Sequence, residues 1–233
     1  MLPSRKRAPA GGRRIALFGG TFDPIHLGHL AVARAAMRHF HFDQIFFIPS
    51  AHPPHKPSRE LLPFAHRFAM VALTCADDPR LVPSLAEGDV NGARRVCYSV
   101  DTVRRFQGQF RKPGDRIYFL LGADSFLGIA TWKNYETLLG LCDFVVAHRP
   151  GFPSEALRRV IPPRLLAQTP AHGKAAVSGA IVLRNTTVYL LDTVDSNVSA
   201  TSVRQRLDRG RSIHGLVPPR VEDYIKKQAL YNL

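Results

Sequence analysis

The sequence predicts an α/β domain built on a doubly wound, mostly parallel β-sheet with helices on both faces. Short apolar runs rich in β-branched and aromatic residues alternate along the chain with helical patterns. Several of these runs are apolar on both faces, which is typical of strands buried between two helix layers. With 233 residues and 45% hydrophobic composition, the chain is long enough to bury such a core.

Four strand–helix pairs are predicted between residues 15 and 161. Their alternation implies right-handed βαβ crossovers and therefore a Rossmann-like parallel sheet. The predicted strands are IALF (15–18), QIFFIP (44–49), RIYFLLGAD (116–124) and DFVVAH (143–148). The helices that follow them are LGHLAVARAAMRHF (27–40), FAHRFAMVALTCA (64–76), NYETLLGL (134–141) and SEALRRVI (154–161).

The carboxyl-terminal part continues this pattern. TVYLLD (187–192) is predicted to be a strand, and a helix follows at about 201–209. The stretch 217–231 predicts a closing helix that begins after Pro219. The region 163–186 shows the least pattern, so we expect a loop or an irregular insertion there.

The net charge of +14 is concentrated in part at the N-terminus. Residues 1–14 are rich in Pro and Gly and carry five basic side chains and no acidic one, so we expect a disordered basic tail. The remaining positive charge is scattered, and no RNP-like motif, zinc-finger spacing or helix-turn-helix accompanies it. A nucleic-acid partner is therefore not expected, whereas a small anionic substrate suits the same positive field.

Three cysteines, Cys75, Cys97 and Cys142, are widely spaced. They form neither a disulfide framework nor a CxxC metal pattern, so reduced thiols in a reducing compartment are expected. No window approaches the roughly 18 consecutive apolar residues of a membrane helix, and no apolar segment follows the basic N-terminus. The sequence therefore predicts a cytoplasmic protein without a membrane partner.

Residues 19–30, GGTFDPIHLGHL, join the first predicted strand to the first helix. Ligands of such sheets bind beyond the carboxyl ends of the strands. Gly19 and Gly20 allow the backbone to approach a ligand closely, and the helix should begin near residue 26 or 27. At i and i+3 spacing, His26 and His29 face the same side of the first helical turn, where the dipole favours an anion.

A histidine pair alone leaves metal ligation, general base catalysis and phosphate binding open. Zinc would need further ligands, and His52 and His55 in HPPH are available, but neither HExxH nor a cysteine pair accompanies them. The GxGxxG and GK[ST] nucleotide motifs are absent from the first turn. Asp23, before Pro24, contacts magnesium through water or only starts the turn, and the Asp-Pro pair favours the turn.

A second candidate phosphate site lies near the other end of the chain, in SATSVRQRL (199–207). Ser199 and Thr201 offer hydroxyls at a helix start, and Arg204 follows three residues after Thr201. Ordinary helix capping would also explain the two hydroxyls. Two phosphate sites so far apart in sequence suggest a triphosphate ligand.

These two segments resemble the paired motifs of the HxGH nucleotidyltransferase superfamily. One departure is Ala200, which stands where the superfamily usually has a hydroxyl residue. Over most of residues 15–233 the chain is similar to the nicotinate-mononucleotide adenylyltransferases, in PSAHPPHK (49–56), CYSVDTV (97–103), LLGADSFLGIATWKNYETLL (120–139), AHRPG (147–151) and LVPPRVEDYIKKQALY (216–231).

That resemblance implies a single nucleotidyltransferase domain over residues 15–233. It implies transfer of the adenylyl group of ATP to nicotinate mononucleotide, giving deamido-NAD and pyrophosphate with Mg²⁺ as cofactor. Nicotinamide mononucleotide and phosphopantetheine adenylyltransferases, and cytidylyltransferases, are the alternatives within the superfamily. The oligomeric state is left open, and a homo-oligomer is compatible with the sequence.

On the ATP side, the resemblance assigns His26 and His29 to the phosphates, with His29 at the α-phosphate. Arg204 and Thr201, with Ser199, would hold the departing pyrophosphate. The nucleotide would also contact Gly19, Gly20, Phe22, Gly122 and Asp124, where Phe22 is as well suited to the core and Asp124 to a helix N-cap.

On the acceptor side, the resemblance assigns Trp132 to stacking on the pyridine ring and, less securely, Tyr135. Main-chain N–H groups and hydroxyls near Tyr98-Ser99 and Ser50-Ala51 would bind the nicotinate carboxylate. His55 and Lys56 lie on the Pro-rich loop after the second strand and could reach either phosphate, or remain solvated. No metal ligands are assigned.

Overall fold

A computed structural model describes residues 11–51, 61–88, 96–148, 153–167, 180–192 and 198–231. Its strands are β1 (Arg14–Gly20), β2 (Gln44–Pro49), β3 (Leu81–Pro83), β4 (Arg116–Gly122), β5 (Asp143–His148), β6 (Ile181–Val182) and β7 (Thr187–Asp192). They form one seven-stranded sheet in the order β3-β2-β1-β4-β5-β7-β6. All neighbours are parallel except β6 and β7, so the predicted mostly parallel sheet is confirmed.

Helices cover both faces of the sheet. They are α1 (Leu27–Phe40), α2 (Phe64–Cys75), α3 (Ser99–Gln109), α4 (Ala123–Leu127), α5 (Tyr135–Leu141), α6 (Ser154–Arg159), α7 (Ala200–Asp208) and α8 (Pro219–Lys227). One hydrophobic core includes buried residues of α1, α2, α7 and α8, and a second core includes those of α3, α4, α5 and α6. The doubly wound arrangement predicted from the sequence is therefore correct.

Burial on both faces explains why the middle of each central strand is apolar at successive positions. In β1, Ala16 and Phe18 belong to the first core, whereas Ile15 and Leu17 belong to the second. Successive side chains of a strand point to opposite faces, so a strand between two helix layers must be apolar on both. This burial on both faces places the sheet in the middle of the molecule.

The strand order reverses between β1 and β4. The chain runs outward from β1 through β2 to β3 and then returns to pair β4 with the other side of β1. At this reversal the connections after β1 and β4 leave in opposite directions and open a crevice at the carboxyl edge. The GGTFDP turn lies at that crevice.

Several parts of the sequence interpretation were wrong or incomplete, and the short strand β3 was not predicted. The strand predicted over 116–124 ends at Gly122, because α4 begins with Ala123 and places Asp124 in its first turn. Helix α3 was not predicted, although Val100, Val103 and Phe106 have helical spacing and are buried. The supposed loop at 163–186 contributes β6, which pairs with β7, and a bridge between residues 166 and 183.

The ordered fold includes the last two residues of the predicted tail. Arg14 opens β1, and the backbone N–H and guanidinium of Arg13 both donate to the carboxylate of Asp115, at 2.8 and 3.1 Å. Residues 1–10 lie outside the described part of the chain. In the part that is described, no helix combines the length and apolar character needed to cross a membrane.

Candidate active site

The backbone of Gly19 and Gly20 lines the crevice, and the side chain of Phe22 is buried beneath it. Phe22 has a φ of 50° and is only 1% exposed. A Cβ atom added to Gly20 would lie 2.9 Å from Phe22 Cζ, so this close approach requires glycine at position 20. The Phe22 ring therefore belongs to the core, and the glycine backbone forms the floor of the crevice.

The two histidines meet at the start of α1, as their spacing predicts. His26 precedes the helix, and the two ring centroids are 3.8 Å apart. The backbone N–H of His26 donates to Nδ1 of His29 at 3.2 Å, so the neutral His29 ring carries its proton on Nε2. The N–H of Leu27 is not available for a ligand, because it donates to the carbonyl of Leu216.

Burial keeps both imidazoles neutral in the unliganded protein. It lowers the pKa of His26 to about 4. Burial, and then the proximity of His26, hold the pKa of His29 well below its usual value. At neutral pH the pair therefore offers neutral N–H donors to a ligand, and an incoming polyphosphate would favour protonation.

Arg204 reaches the same crevice from α7. Its Nη1 donates to the carbonyl of Asp23 at 2.6 Å, and its Nη2 lies 3.5 Å from the Thr201 hydroxyl. The Ser199 hydroxyl accepts from the N–H of Ser202 at 3.0 Å, so it caps α7. The guanidinium is the group of this segment best placed to bind a ligand.

The histidine segment at the start of α1 and the Arg204 segment at the start of α7 line one cavity of about 640 Å³. The cavity thus combines two imidazoles, a guanidinium and glycine backbone, which is a donor set suited to phosphate oxygens. Among its lining residues are Gly19, Gly20, Phe22, His26, His29, Gly122, Asp124, Ser199 and Arg204.

A second cavity, of about 390 Å³, opens on the other side of the turn. Its walls include Trp132 and Phe119, whose rings meet edge to face with centroids 6.0 Å apart. Tyr98 and Ser99, at the start of α3, line it as well. An aromatic wall beside the amino end of a helix suits a flat ring that carries an anionic group.

The two cavities adjoin at the carboxyl edge of the sheet. They share five lining residues, which come from the carboxyl end of β1, the residue that follows it and the first turn of α4: Gly19, Gly20, Thr21, Asp124 and Ser125. Two ligands could therefore meet over the glycine turn. We call the larger space the phosphate cavity and the smaller one the acceptor cavity.

Comparison with known proteins agrees with this geometry. The family model described as cytidylyltransferase-like matches residues 17–206. A probable nicotinate-nucleotide adenylyltransferase of a Geobacter species is 40% identical over 222 residues, which span 94% of this chain and 98% of the relative. A relative of the same name from Moorella thermoacetica is 36% identical over 218 residues, 94% of this chain and 91% of its own. The chain belongs to the nicotinate-nucleotide adenylyltransferase family.

Membership of the nicotinate-nucleotide adenylyltransferase family makes the chain a nucleotidyltransferase enzyme. The fold agrees with that of the Plasmodium falciparum nicotinic acid mononucleotide adenylyltransferase solved in complex with NaAD. The two chains superpose with a TM-score of 0.66 at 19% identity, covering 94% of this chain and 97% of the other. At that identity the likeness establishes the fold alone.

Some residues predicted for an adenylyltransferase site are not among the described residues that line the two cavities. Tyr135 opens α5 and packs against the second core, and it is not among the described residues that line the acceptor cavity. Ala51 is buried next to that cavity without lining it. Thr201 is exposed and lies outside the described lining of the phosphate cavity. His55 and Lys56 lie outside the described residues, as does His52 of the zinc alternative.

Ser50 lines the acceptor cavity, but its donors are already used within the protein. Its N–H donates to the carbonyl of Gly20 at 2.9 Å, and its hydroxyl hydrogen-bonds to Glu87. The N–H and hydroxyl donors of Ser50 are therefore engaged within the protein in this structure. The Tyr98-Ser99 segment at the start of α3 lines the same cavity and is the other predicted source of main-chain N–H donors to the carboxylate.

Sequence reasoning missed Arg67, which holds the crevice loops of this adenylyltransferase together. It is 1% exposed and donates from Nη1 to the carbonyls of Thr21 and Ser50, at 2.8 and 2.7 Å. Its other nitrogens donate to residues 62 and 51. A signal was present, because position 67 falls on the same helical face as the buried Met70 and Val71.

Lys133 was missed as well. Its Nζ lies 4.0 Å from the centre of the Tyr98 ring, and it lines the acceptor cavity. It brings a positive charge to the wall where the anionic substituent of an acceptor would lie. Lys133 lies within the segment 120–139 that resembles the family, but no role was assigned to it, since that role depends on a contact between residues 35 positions apart in sequence.

Proposed function

We propose that this chain transfers the adenylyl group of ATP to nicotinate mononucleotide, giving deamido-NAD and pyrophosphate for NAD biosynthesis. The observation that carries the proposal is the pair of cavities that share the turn after β1. One offers donors suited to a polyphosphate and the other an aromatic wall suited to a pyridine ring. The names of the relatives support the same reaction. The expected compartment is the cytoplasm.

The reaction requires little proton transfer. The phosphate of the acceptor is already anionic and attacks the α-phosphorus of ATP in line, so positioning and charge stabilisation dominate catalysis. In the phosphate cavity, Nε2 of His29 would donate to the α-phosphate, and His26 would lie beside it. The Arg204 guanidinium would hold the β- and γ-phosphates that leave as pyrophosphate.

Magnesium would accompany the nucleotide. The described residues contain no group of three or more His, Cys, Asp or Glu side chains that could hold a metal ion. A Mg²⁺ ion would therefore be held chiefly by phosphate oxygens, as is common for this ion, and would neutralise charge on the departing pyrophosphate. The protein side chains of the phosphate cavity would orient the same oxygens.

In the acceptor cavity, Trp132 would stack on the pyridine ring. The main-chain N–H groups of the Tyr98-Ser99 segment would donate to its carboxylate, and the charge on Lys133 favours the same anion. An amide in that place would turn its NH₂ group towards donors and leave them unpaired. The arrangement thus favours nicotinate over nicotinamide mononucleotide.

The test is pyrophosphate release from ATP and Mg²⁺ with nicotinate mononucleotide, nicotinamide mononucleotide or phosphopantetheine as acceptor. We expect nicotinate mononucleotide to have the highest kcat/KM. Higher kcat/KM with the amide would refute the proposed acceptor. Turnover with phosphopantetheine alone would refute the proposed function and leave only the superfamily assignment.

A further inference from the structure

Glu87 is a buried carboxyl group on the wall of the acceptor cavity. It is 8% exposed, and it follows β3 in a segment that no motif identified. The Thr102 hydroxyl, on α3, donates to its Oε1 at 2.8 Å. The Ser50 hydroxyl, on the loop after β2, hydrogen-bonds to the same carboxyl group. Glu87 therefore joins two elements that are far apart in sequence.

Both of those elements also contribute walls of the acceptor cavity. Tyr98 and Ser99 line it from the N-terminal end of α3, and Ser50 lines it from the loop after β2. On its other side, the Ser50 carbonyl accepts from the buried Arg67 at 2.7 Å. A series of contacts thus connects α2 on one face of the sheet to α3 on the other. It runs from Arg67 through Ser50 and Glu87 to Thr102.

The backbone around Glu87 is held in place from both sides. The carbonyl of Ala86 accepts from Nη1 of Arg105 on α3 at 3.2 Å. A Cβ atom added to Gly88 would lie 2.8 Å from the Phe64 ring on α2, so the segment packs closely against that helix as well. The segment that carries Glu87 therefore packs between α2 and α3, and this packing fixes the position of its carboxyl group relative to the two hydroxyls.

A carboxyl group at this position is costly. Burial raises the pKa of Glu87 to about 7, and the hydroxyls of Thr102 and Ser50 offset only part of that effect. An apolar side chain could fill the same volume without this penalty. Because such a residue could not accept from either hydroxyl, the carboxyl group is best explained by the link that it makes.

We propose that Glu87 is a positioning residue of the acceptor site: by accepting hydrogen bonds from Ser50 and Thr102, it sets the separation of the loop after β2 and the N-terminal end of α3. The acceptor cavity lies between these two elements. The inference rests on the proposed function, which assigns that cavity to nicotinate mononucleotide. Glu87 acts through its partners and touches no reacting atom.

The test is steady-state kinetics of the full-length protein for both substrates. For Glu87→Ala we expect the KM for nicotinate mononucleotide to rise about tenfold or more, the size expected when two buried hydroxyls lose their partner. The KM for ATP should stay within about twofold of the original value. Glu87→Gln retains one acceptor oxygen, so its acceptor KM should rise less and show partial rescue.

Thr102→Val removes the donor with little change of volume and tests whether Glu87 acts through α3. Its effect on the acceptor KM and that of Glu87→Gln should not add in the double variant. Additive effects would overturn the proposed link. Thr102→Val and Glu87→Gln also keep the test decisive should Glu87→Ala fail to fold.

Glu222→Gln is a matched control. Glu222 is 7% exposed on α8, where it accepts from Lys226 at 2.6 Å, and it lines neither cavity among the described residues. It should lose stability without a selective change in the acceptor KM. Equal changes of both KM values in the Glu87 variants and this control would show a merely structural role. Inactivity of the unmodified protein with nicotinate mononucleotide would instead count against the proposed function.

Discussion

Arg204 donates a hydrogen bond from Nη1 to the backbone carbonyl of Asp23 at 2.6 Å, although the two residues lie 181 positions apart. The carboxylate of Asp23 accepts a second hydrogen bond, from the Tyr231 hydroxyl at 2.7 Å. Two segments near the end of the chain therefore hold the turn that follows β1. This contact is what brings a guanidinium and the two imidazoles of α1 to one cavity.

Replacing His29 by alanine should lower turnover about 10²- to 10³-fold, because one donor to the charge that develops on the α-phosphate is lost. The variant should remain folded, although its free energy of unfolding should fall, because a buried ring that accepts from the His26 N–H is removed. A steady-state rate together with a denaturant titration measures both effects. His39→Ala, at the exposed far end of the same helix, is the control. Turnover of His29→Ala close to that of the control would rule out the assigned role.

Replacing Arg204 by lysine keeps the charge but loses the planar fork that can bind two phosphate oxygens. We expect kcat/KM for ATP to fall roughly 10- to 150-fold, the equivalent of about 1.5–3 kcal/mol for a hydrogen bond to a charged group. The exposed Arg206 on the same helix provides the matched Arg206→Lys control. An unchanged kcat/KM for ATP in Arg204→Lys would contradict the proposed contact with the leaving pyrophosphate.

Replacing Trp132 by alanine should raise the KM for nicotinate mononucleotide roughly 5- to 150-fold, since stacking of a base on an aromatic side chain is worth about 1–3 kcal/mol. Trp132→Phe should give an intermediate value, and the KM for ATP should remain nearly constant. Steady-state titration of each substrate distinguishes these outcomes. An unchanged acceptor KM would return Trp132 to a purely packing role beside Phe119.

Acid should destabilise the unliganded protein through the histidine pair. Burial lowers the pKa of His26 to about 4, so the unfolded chain binds a proton more readily than the folded protein. Its contribution to stability is complete above pH 6.5 and decreases as the pH falls towards 4, by at most about 1.4 kcal/mol per pH unit. Denaturant titrations of the original protein and of His26→Gln between pH 7.5 and 5 measure the difference.

The raised pKa of Glu87 has the opposite effect, because its contribution is complete below about pH 4.5 and decreases as the pH rises through 7. That contribution is common to both proteins and cancels in the difference between them. The original protein should therefore lose more stability on acidification than His26→Gln. Parallel pH profiles would show that His26 binds protons equally well in the folded and unfolded states.

The parallel sheet and its helices could be predicted because their signals are local. Strand β1 is apolar at every buried position, and α1 begins where the Asp-Pro turn and the histidines indicate. The prediction that β4 extends to Asp124 was wrong at its end, because residue propensity does not distinguish the last residue of a strand from the first residue of a helix. Helix α3 was overlooked because its three buried apolar positions are few among polar residues.

The sequence by itself determined the alternation of strands and helices, the glycine turn with its two histidines, and the remote Arg204, because each of these is written in neighbouring residues. Only the tertiary structure decided that Arg67 and Glu87 link the loops around the cavities, that both donors of Ser50 are occupied, and that Lys133 lies against Tyr98. Those relationships arise where separate elements pack together, and the burial and hydrogen bonding of each side chain depend on partners that its own stretch of sequence does not contain.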